Sequence, residues 1–218
     1  MFVQPSSEPR DTSVRRRPEQ QRSRERFEAL IAAARRLIGQ RGVGAVTMTD
    51  IAAEADVALT AAYRYFPNKD AVVRELALRS FEAEDAWYDG FTDRAGRTFE
   101  AWIEDAVLAY CTAELGNDDR LQLRAAIYAD PELAELNLED SRKKADRVAD
   151  ALTLEGLALP RAEVAQRALL LLKLVDGALN LARAVDPTEA RPTLERFARL
   201  ASTLLLDGSA LDATRTTP

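Results

Sequence analysis

Histidine is absent from the 218 residues, and cysteine occurs once. Without histidine the commonest general acid–base side chain is missing, and with one thiol no zinc-type ligand set can be assembled. Cys111 has no partner for an internal disulfide, which suits a reducing cytoplasm. Long apolar runs are also lacking. The leucine-rich run Ala168 to Leu172 ends at Lys173, far short of the roughly 20 residues that a membrane helix needs. The opening Met1-Phe2-Val3-Gln4-Pro5 has neither the basic nor the apolar region of a secretory signal. Paired acids such as Glu104-Asp105 and Asp118-Asp119 are neighbours in sequence, point apart on a helix and read as solvated charge. These absences argue against an enzyme, a metal site, a bound cofactor and a membrane partner. The expected location is the cytoplasm.

What remains is a chain 47% hydrophobic and 30% charged with only 9 glycines and 9 prolines, the balance of a globular protein of one domain or two small ones. Its net charge of −6 is unevenly spread. Residues 1–80 carry 14 basic against 10 acidic side chains, a balance of +4; the rest carry 16 against 26, a balance of −10. A basic N-terminal third on an acidic body suggests that one end meets phosphate.

Residues 1–20 are polar and proline-containing, end near Arg15-Arg16-Arg17, and read as a disordered basic arm; 209–218 reads as a tail. Between them the pattern is helical throughout. Phe27, Leu30, Ile31, Ala34, Leu37 and Ile38 recur on one face, and Gly42 and Gly44 stop that helix. Further amphipathic stretches fall at about 69–89, 97–115, 119–129, 131–156, 161–185 and 192–206. Strand-like alternation is nowhere sustained, so the fold class is all-α.

The informative segment is Thr47 to Lys69. Thr47-Met48-Thr49-Asp50 has the form of a capping box and starts a helix before Ile51. That helix is rich in small residues, Ala52, Ala53 and Ala55, so a second helix can approach closely. Asp56 stands at the turn, where its tolerance of left-handed backbone is useful. A second short helix runs from about Ala58 to Phe66, and Pro67 ends it. At 100° per residue, Ala58, Ala62 and Phe66 share one side, while Leu59, Thr60, Tyr63 and Arg64 share the other. Two short helices across a tight turn, with a third in front, form a helix-turn-helix. The outward face offers Arg64 to a guanine or a phosphate, Leu59 and Ala61 to thymine methyls, and Tyr63 to a phosphate. A merely solvated helix face is the alternative reading of the same residues.

From Arg24 to about Leu76 the chain resembles the DNA-binding domain of the tetracycline-repressor family. The resemblance rests on Ala33, Gly42, Thr47-x-Thr49-Asp50-Ile51-Ala52, Val57 and the run Tyr63-Arg64-Tyr65-Phe66-Pro67-Asn68-Lys69-Asp70, and covers about a quarter of the chain. Tyr63, Phe66 and Lys69 carry its most diagnostic spacing. The resemblance implies that Thr47 and Thr49 touch phosphates or bases, that Leu59, Thr60, Ala61 and Arg64 face bases, and that Tyr63, Tyr65 and Lys69 hold the DNA backbone. This chain departs from the family at Asp56, where glycine is usual, and at Ala58, where serine is usual.

The resemblance also implies a domain division: 21–76 for DNA, and 77–208 for an effector and for dimerisation. The last two long helices would pair with those of a second copy. In 161–185 the apolar stripe is Val164, Ala168, Leu171, Leu172, Val175 and Leu179, widened by Leu170, Leu174 and Leu181; the last helix adds Leu194, Phe197, Ala201 and Leu204. Trp87, Tyr88, Trp102, Tyr110 and Tyr128 are candidates to line an effector pocket or to pack the core, and Asp176 and Asn180, on the polar stripe of their helix, to line that pocket or to face water. Cys111 falls on the apolar side of its helix and reads as an inert core thiol. The expected partners are therefore a palindromic double-stranded operator, a second copy of the chain and a small organic effector that releases the DNA. The rival reading is an all-helical dimeric scaffold or ligand-binding protein whose DNA binding is weakened.

Overall fold

The computed structural model describes residues 21–89 and 94–206, without the side chains of Ala86, Trp87, Asp89, Asp118 and Asp119. The arm over 1–20, the tail over 209–218 and the side chain of Trp87 therefore lie outside the described residues. The described elements are helices α1 (Gln21–Arg41), α2 (Met48–Glu54), α3 (Leu59–Tyr65), α4 (Lys69–Asp89), α5 (Phe99–Leu115), α6 (Asp118–Ala129), α7 (Pro131–Leu154), α8 (Arg161–Ala184) and α9 (Pro187–Leu206), with a 3-10 turn at Val43–Ala45. Among the described residues there is no strand, and no helix is long and apolar enough to cross a membrane.

The helix ends follow from local chemistry. Gly42, at φ 74°, closes α1, its amide bonding to Ile38 O at 2.8 Å; that left-handed conformation is cheap only for glycine. Asp130 starts α7, its Oδ1 accepting from Glu132 N at 2.9 Å and Leu133 N at 3.1 Å, with Pro131 in the first helical position. Thr98 caps α5 by accepting from Ala101 N at 3.2 Å. Helix α9 begins five residues before the expected 192, because Asp186 Oδ1 accepts from Thr188 N at 2.9 Å and Pro187 is preset for a helix start. Pro192 then lies inside the helix.

The chain divides into two compact units, Met1–Ser80 with Asp118–Ala134, and Phe81–Asn117 with Glu135–Pro218. The expected boundary near residue 76 captures most of the first unit and misses α6. That helix packs on α1 and the 3-10 turn, burying Leu123 and Ile127. It supplies apolar area that the short helices α2 and α3 cannot.

The core of the second unit has two parts. One joins Trp102 and Ile103 of α5, Val148, Ala149 and Leu152 of α7, Leu171 of α8 and Leu205 of α9. The other gathers Cys111, Val175, Leu179 and Leu194. Cys111 is wholly buried, as its position on the apolar face predicts.

This packing corrects the expected dimer stripe. Val164, Ala168, Leu171, Val175 and Leu179 of α8, and Leu194 and Ala201 of α9, are buried inside their own chain; Leu172, Phe197 and Leu204 pack against the same clusters. The wide apolar stripe of α8 is consumed by α5 and α9, which contact it. What α8 leaves open is the narrower band Leu170, Leu174, Gly177 and Leu181, within about 60° of arc.

Two leucines two residues apart on α7 test the packing. Leu152 has no exposed surface, whereas Leu154 is 87% exposed. Leu152→Ala is expected to cost about 2–5 kcal/mol in urea denaturation, and Leu154→Ala to stay within about 0.5 kcal/mol of the parent.

Candidate nucleic-acid interface

Helix α2 starts where the capping box predicts. Thr47 Oγ1 accepts from Asp50 N at 3.2 Å and donates to Asp50 Oδ2 at 2.5 Å, while Thr47 N donates to the same carboxylate at 2.8 Å. These bonds hold the Asp50 carboxyl below its ordinary range. Met48, Ile51 and Ala52 turn inward, and Thr49 stays exposed. At the turn Asp56 takes φ 52°, and Val57 N returns to Ala52 O at 2.9 Å.

Helix α3 is two-faced. Ala62, Tyr65 and the following Phe66 are buried. Leu59 at 36%, Tyr63 at 42%, Thr60 and Arg64 are exposed along the opposite side, with Ala61 half-buried beside them. Ala58 stands at the N-cap without a side-chain hydrogen bond and is exposed, not turned inward, because it precedes the first helical residue.

Two of the residues expected to hold DNA backbone have work within the chain. Tyr65 is buried; its hydroxyl shares a 2.8 Å hydrogen bond with Ser23 Oγ, and its ring meets Phe27 edge-on at 5.9 Å. It points into the core because residue 65 falls on the same side of α3 as Ala62. Lys69 Nζ donates to Val43 O at 2.8 Å, tying the start of α4 to the 3-10 turn.

Sequence reasoning did not foresee the clasp beneath α3. Phe27 of α1 stacks on Phe66 with centroids 5.0 Å apart, and the Arg79 guanidinium of α4 lies 5.5 Å from the Phe27 centroid. Arg79 forms a bidentate pair with Glu28 at 2.6 and 2.8 Å and bonds Glu75 at 3.0 Å. These hydrogen bonds raise the guanidinium's pKa and lower that of Glu28. The signal was present: Phe27 and Phe66 are both apolar positions of their helices.

In the second unit, a cavity of about 50 Å³ is lined by Tyr88, Ile103, Val107 and Tyr110 together with Leu171 and Leu172, among others. Of the expected pocket residues, Tyr110 and Tyr88 line it. Trp102 is a core residue, Tyr128 is exposed on α6 in the N-terminal unit, and Asn180 is exposed on α8. Asp176 faces a polar cluster instead. Lys144, almost wholly buried, donates to Glu84 Oε2 at 2.8 Å and Asp140 Oδ2 at 2.5 Å. Lys173 donates to Ser141 Oγ at 2.6 Å. Burial lowers the pKa of Lys173, against the pull of Asp176, Asp140 and Glu84. Among the described residues no group of three His, Cys, Asp or Glu side chains could hold a metal ion.

Residues 30–76 match the family model described as bacterial regulatory proteins, tetR family. No curated protein matches the sequence. Among solved structures, the chain is similar to a TetR-family transcriptional regulator of Mesorhizobium loti, at 19% identity over 86% of this chain and 98% of that one, TM-score 0.67. It is also similar to a transcriptional regulator of Pseudomonas aeruginosa PAO1, at 20% identity over 90% and 94% of the two chains, TM-score 0.65. A third is SmeT, the repressor of the Stenotrophomonas maltophilia multidrug efflux pump SmeDEF, at 18% identity over 83% and 88%, TM-score 0.62. At these identities the likeness is one of fold.

The empty cap of α3 yields a prediction. Ala58→Ser supplies the missing acceptor and is expected to stabilise the protein by about 1 kcal/mol. Denaturant unfolding checks it, with an unchanged or lowered midpoint as the contrary result.

Proposed function

We propose, from the family match over residues 30–76 and the likeness of fold, that the chain is a transcriptional regulator of the TetR family and acts in the cytoplasm as a homodimeric repressor. Its two α3 helices read a palindromic operator, and a small apolar effector releases it. The observation that carries the reading is the two-faced α3: Ala62, Tyr65 and Phe66 hold it from behind, while Leu59, Thr60, Tyr63 and Arg64 stand free in front. Such a helix suits a major groove, where Arg64 can pair with guanine and Tyr63 can donate to phosphate. The exposure of Thr49 at the start of α2 supports a phosphate contact there. Thr47 and Lys69 serve DNA by shaping the unit, through the α2 cap and the Val43 bond, and Lys69 keeps further N–H groups for a phosphate.

Dimerisation is supported by the band that α8 leaves open. Leu170, Leu174 and Leu181 are exposed on α8, Leu200 is exposed on α9, and Gly177 has open space above it for close approach. Water disfavours an apolar row of this kind unless a partner covers it. One recognition helix contacts too few bases for useful specificity, and a symmetric pair doubles the reading. Repression is supported by SmeT, a structural relative that represses an efflux pump.

The effector reading rests on the almost wholly apolar cavity bounded by Ile103, Val107, Leu171 and Leu172, with Tyr88 and Tyr110 also in its lining. At about 50 Å³ it is far below the roughly 300 Å³ that a small-molecule site usually needs. An effector therefore binds a form in which the surrounding helices have moved apart. Preference for that form is what lets it shift an equilibrium. An apolar molecule fits, because a charge in this lining would lose its hydration uncompensated.

Fluorescence anisotropy on DNA from upstream of the protein's own gene tests the whole reading. Saturable binding that weakens with salt is expected. Arg64→Ala should weaken it by about 1–3 kcal/mol at an unchanged melting temperature. Leu181→Arg should yield monomers by sedimentation and lose the tight complex. Binding no better than to random DNA, or an Arg64→Ala protein that binds like the parent, contradicts the proposal.

A further inference from the structure

Within the N-terminal unit, helix α1 outruns the short helices packed on it. With 21 residues it is about 30 Å long, whereas α2 and α3, with seven residues each, are about 10 Å long. Its inward stripe can be followed back toward the N-terminus in helical steps. Leu37, Ala33 and Leu30 are buried, and Arg26, four residues before Leu30, continues the same stripe. Arg26 is nevertheless exposed. So is Arg22, one turn earlier and about 40° away. Arg36 lies within about 80° of both on the helix, and its guanidinium pairs with Glu54 of α2 at 2.9 Å. The two arginines therefore stand on the helix-turn-helix side of α1, past the stretch that α2 covers.

This end of α1 is fastened to the end of α3. Ser23, next to Arg22 in the chain, shares the 2.8 Å bond with the Tyr65 hydroxyl, and Phe27, next to Arg26, stacks on Phe66. The last turn of α3 so held carries Arg64 on its exposed side. The nearby carboxylates are engaged elsewhere: Glu28 pairs with Arg79 of α4, and Glu25 accepts from Gln21 at 3.4 Å. Among the described residues neither Arg22 nor Arg26 forms an ion pair. Two unbalanced guanidinium groups beside a groove-facing helix suit the anion that the same duplex supplies, its backbone phosphate.

Resting on the reading that α3 enters a major groove, we infer that Arg22 and Arg26 hold backbone phosphates beside that groove, so that the DNA contact runs from α3 onto the first two turns of α1. A guanidinium can grip a phosphate through two parallel N–H bonds. Four residues apart, the two side chains leave α1 about 6 Å from each other along the axis, close enough for neighbouring phosphates of one strand. Such contacts carry no sequence information; they fix the register and orientation in which α3 meets the bases.

Anisotropy titrations of the full chain on its upstream DNA, repeated between about 50 and 200 mM salt, test this through the slope of log K against log salt. Each phosphate contact adds about 0.9 to the slope, and a dimer carries each arginine twice. Replacing both, Arg22→Ala with Arg26→Ala, is expected to lower the slope by about 3–4. It should weaken operator and random duplex by the same factor at an unchanged melting temperature. Arg22→Lys with Arg26→Lys keeps the charge and should keep most of the slope. Arg35→Ala is the control: it is exposed about 180° round α1 from Arg26, and its loss should leave the slope near the parent's. A double alanine variant with the parent's slope, an equal drop per charge for Arg35→Ala, or a loss confined to the operator overturns this inference and leaves the proposed function standing. A parent that binds no DNA overturns both.

Discussion

The stack of Phe66 on Phe27, with ring centroids 5.0 Å apart, is the contact on which the rest of the N-terminal unit depends. Helix α3 has seven residues, Leu59–Tyr65, too few to be stable on its own. Its orientation is borrowed from α1 through Phe27, and from α4 through Arg79, which lies over that ring and is held by Glu28 and Glu75. Phe66 has no exposed surface, and truncating a phenylalanine so placed costs about 3–5 kcal/mol. The side chains in front of α3 are free to meet DNA because those behind it carry the whole load of positioning. Arg79 adds less than its bonds suggest, since Glu28 is more than half exposed and water screens that pair.

Much of this was legible in the sequence where a local rule and a tertiary demand agree. The Thr47–Asp50 capping box, the left-handed Asp56 and the stop at Gly42 each announce one backbone event and occur where announced. The 100° wheel separated Ala62 and Phe66 from Leu59, Thr60, Tyr63 and Arg64. The same wheel sets Tyr65 beside Ala62, and following it there would have placed that ring in the core. Resemblance drew it outward instead. Lys69 shows the opposite limit, since its bond to Val43 O joins residues 26 positions apart and leaves no periodic trace.

The second unit was harder to read, for a definite reason. Helix α8 is apolar around more than half its circumference, and hydrophobic period alone does not say which half its own chain covers. The wide stripe through Leu171 and Val175 went to α5 and α9, leaving the narrow one through Leu174 and Leu181 in the open. Aromatic residues likewise mark burial without marking what is buried beside them. Trp102 and Tyr110 share α5, yet the first completes a core and the second lines a cavity. Lys144 and Lys173 had no apparent tie in sequence, and the fold gathers them with Glu84, Asp140 and Ser141 into one polar cluster.

The proposed function divides the labour of α3: one face positions the helix and the other would read DNA. Two tyrosines, two residues apart, test it with matched chemistry. Tyr63→Phe and Tyr65→Phe each remove one hydroxyl, and operator affinity and unfolding free energy would be measured for both. The account predicts that Tyr63→Phe weakens DNA binding at unchanged stability. It predicts that Tyr65→Phe loses about 1 kcal/mol of stability through the Ser23 bond while the folded protein binds DNA as before. The reverse pattern would mean that the face assigned to the core is the one that meets DNA.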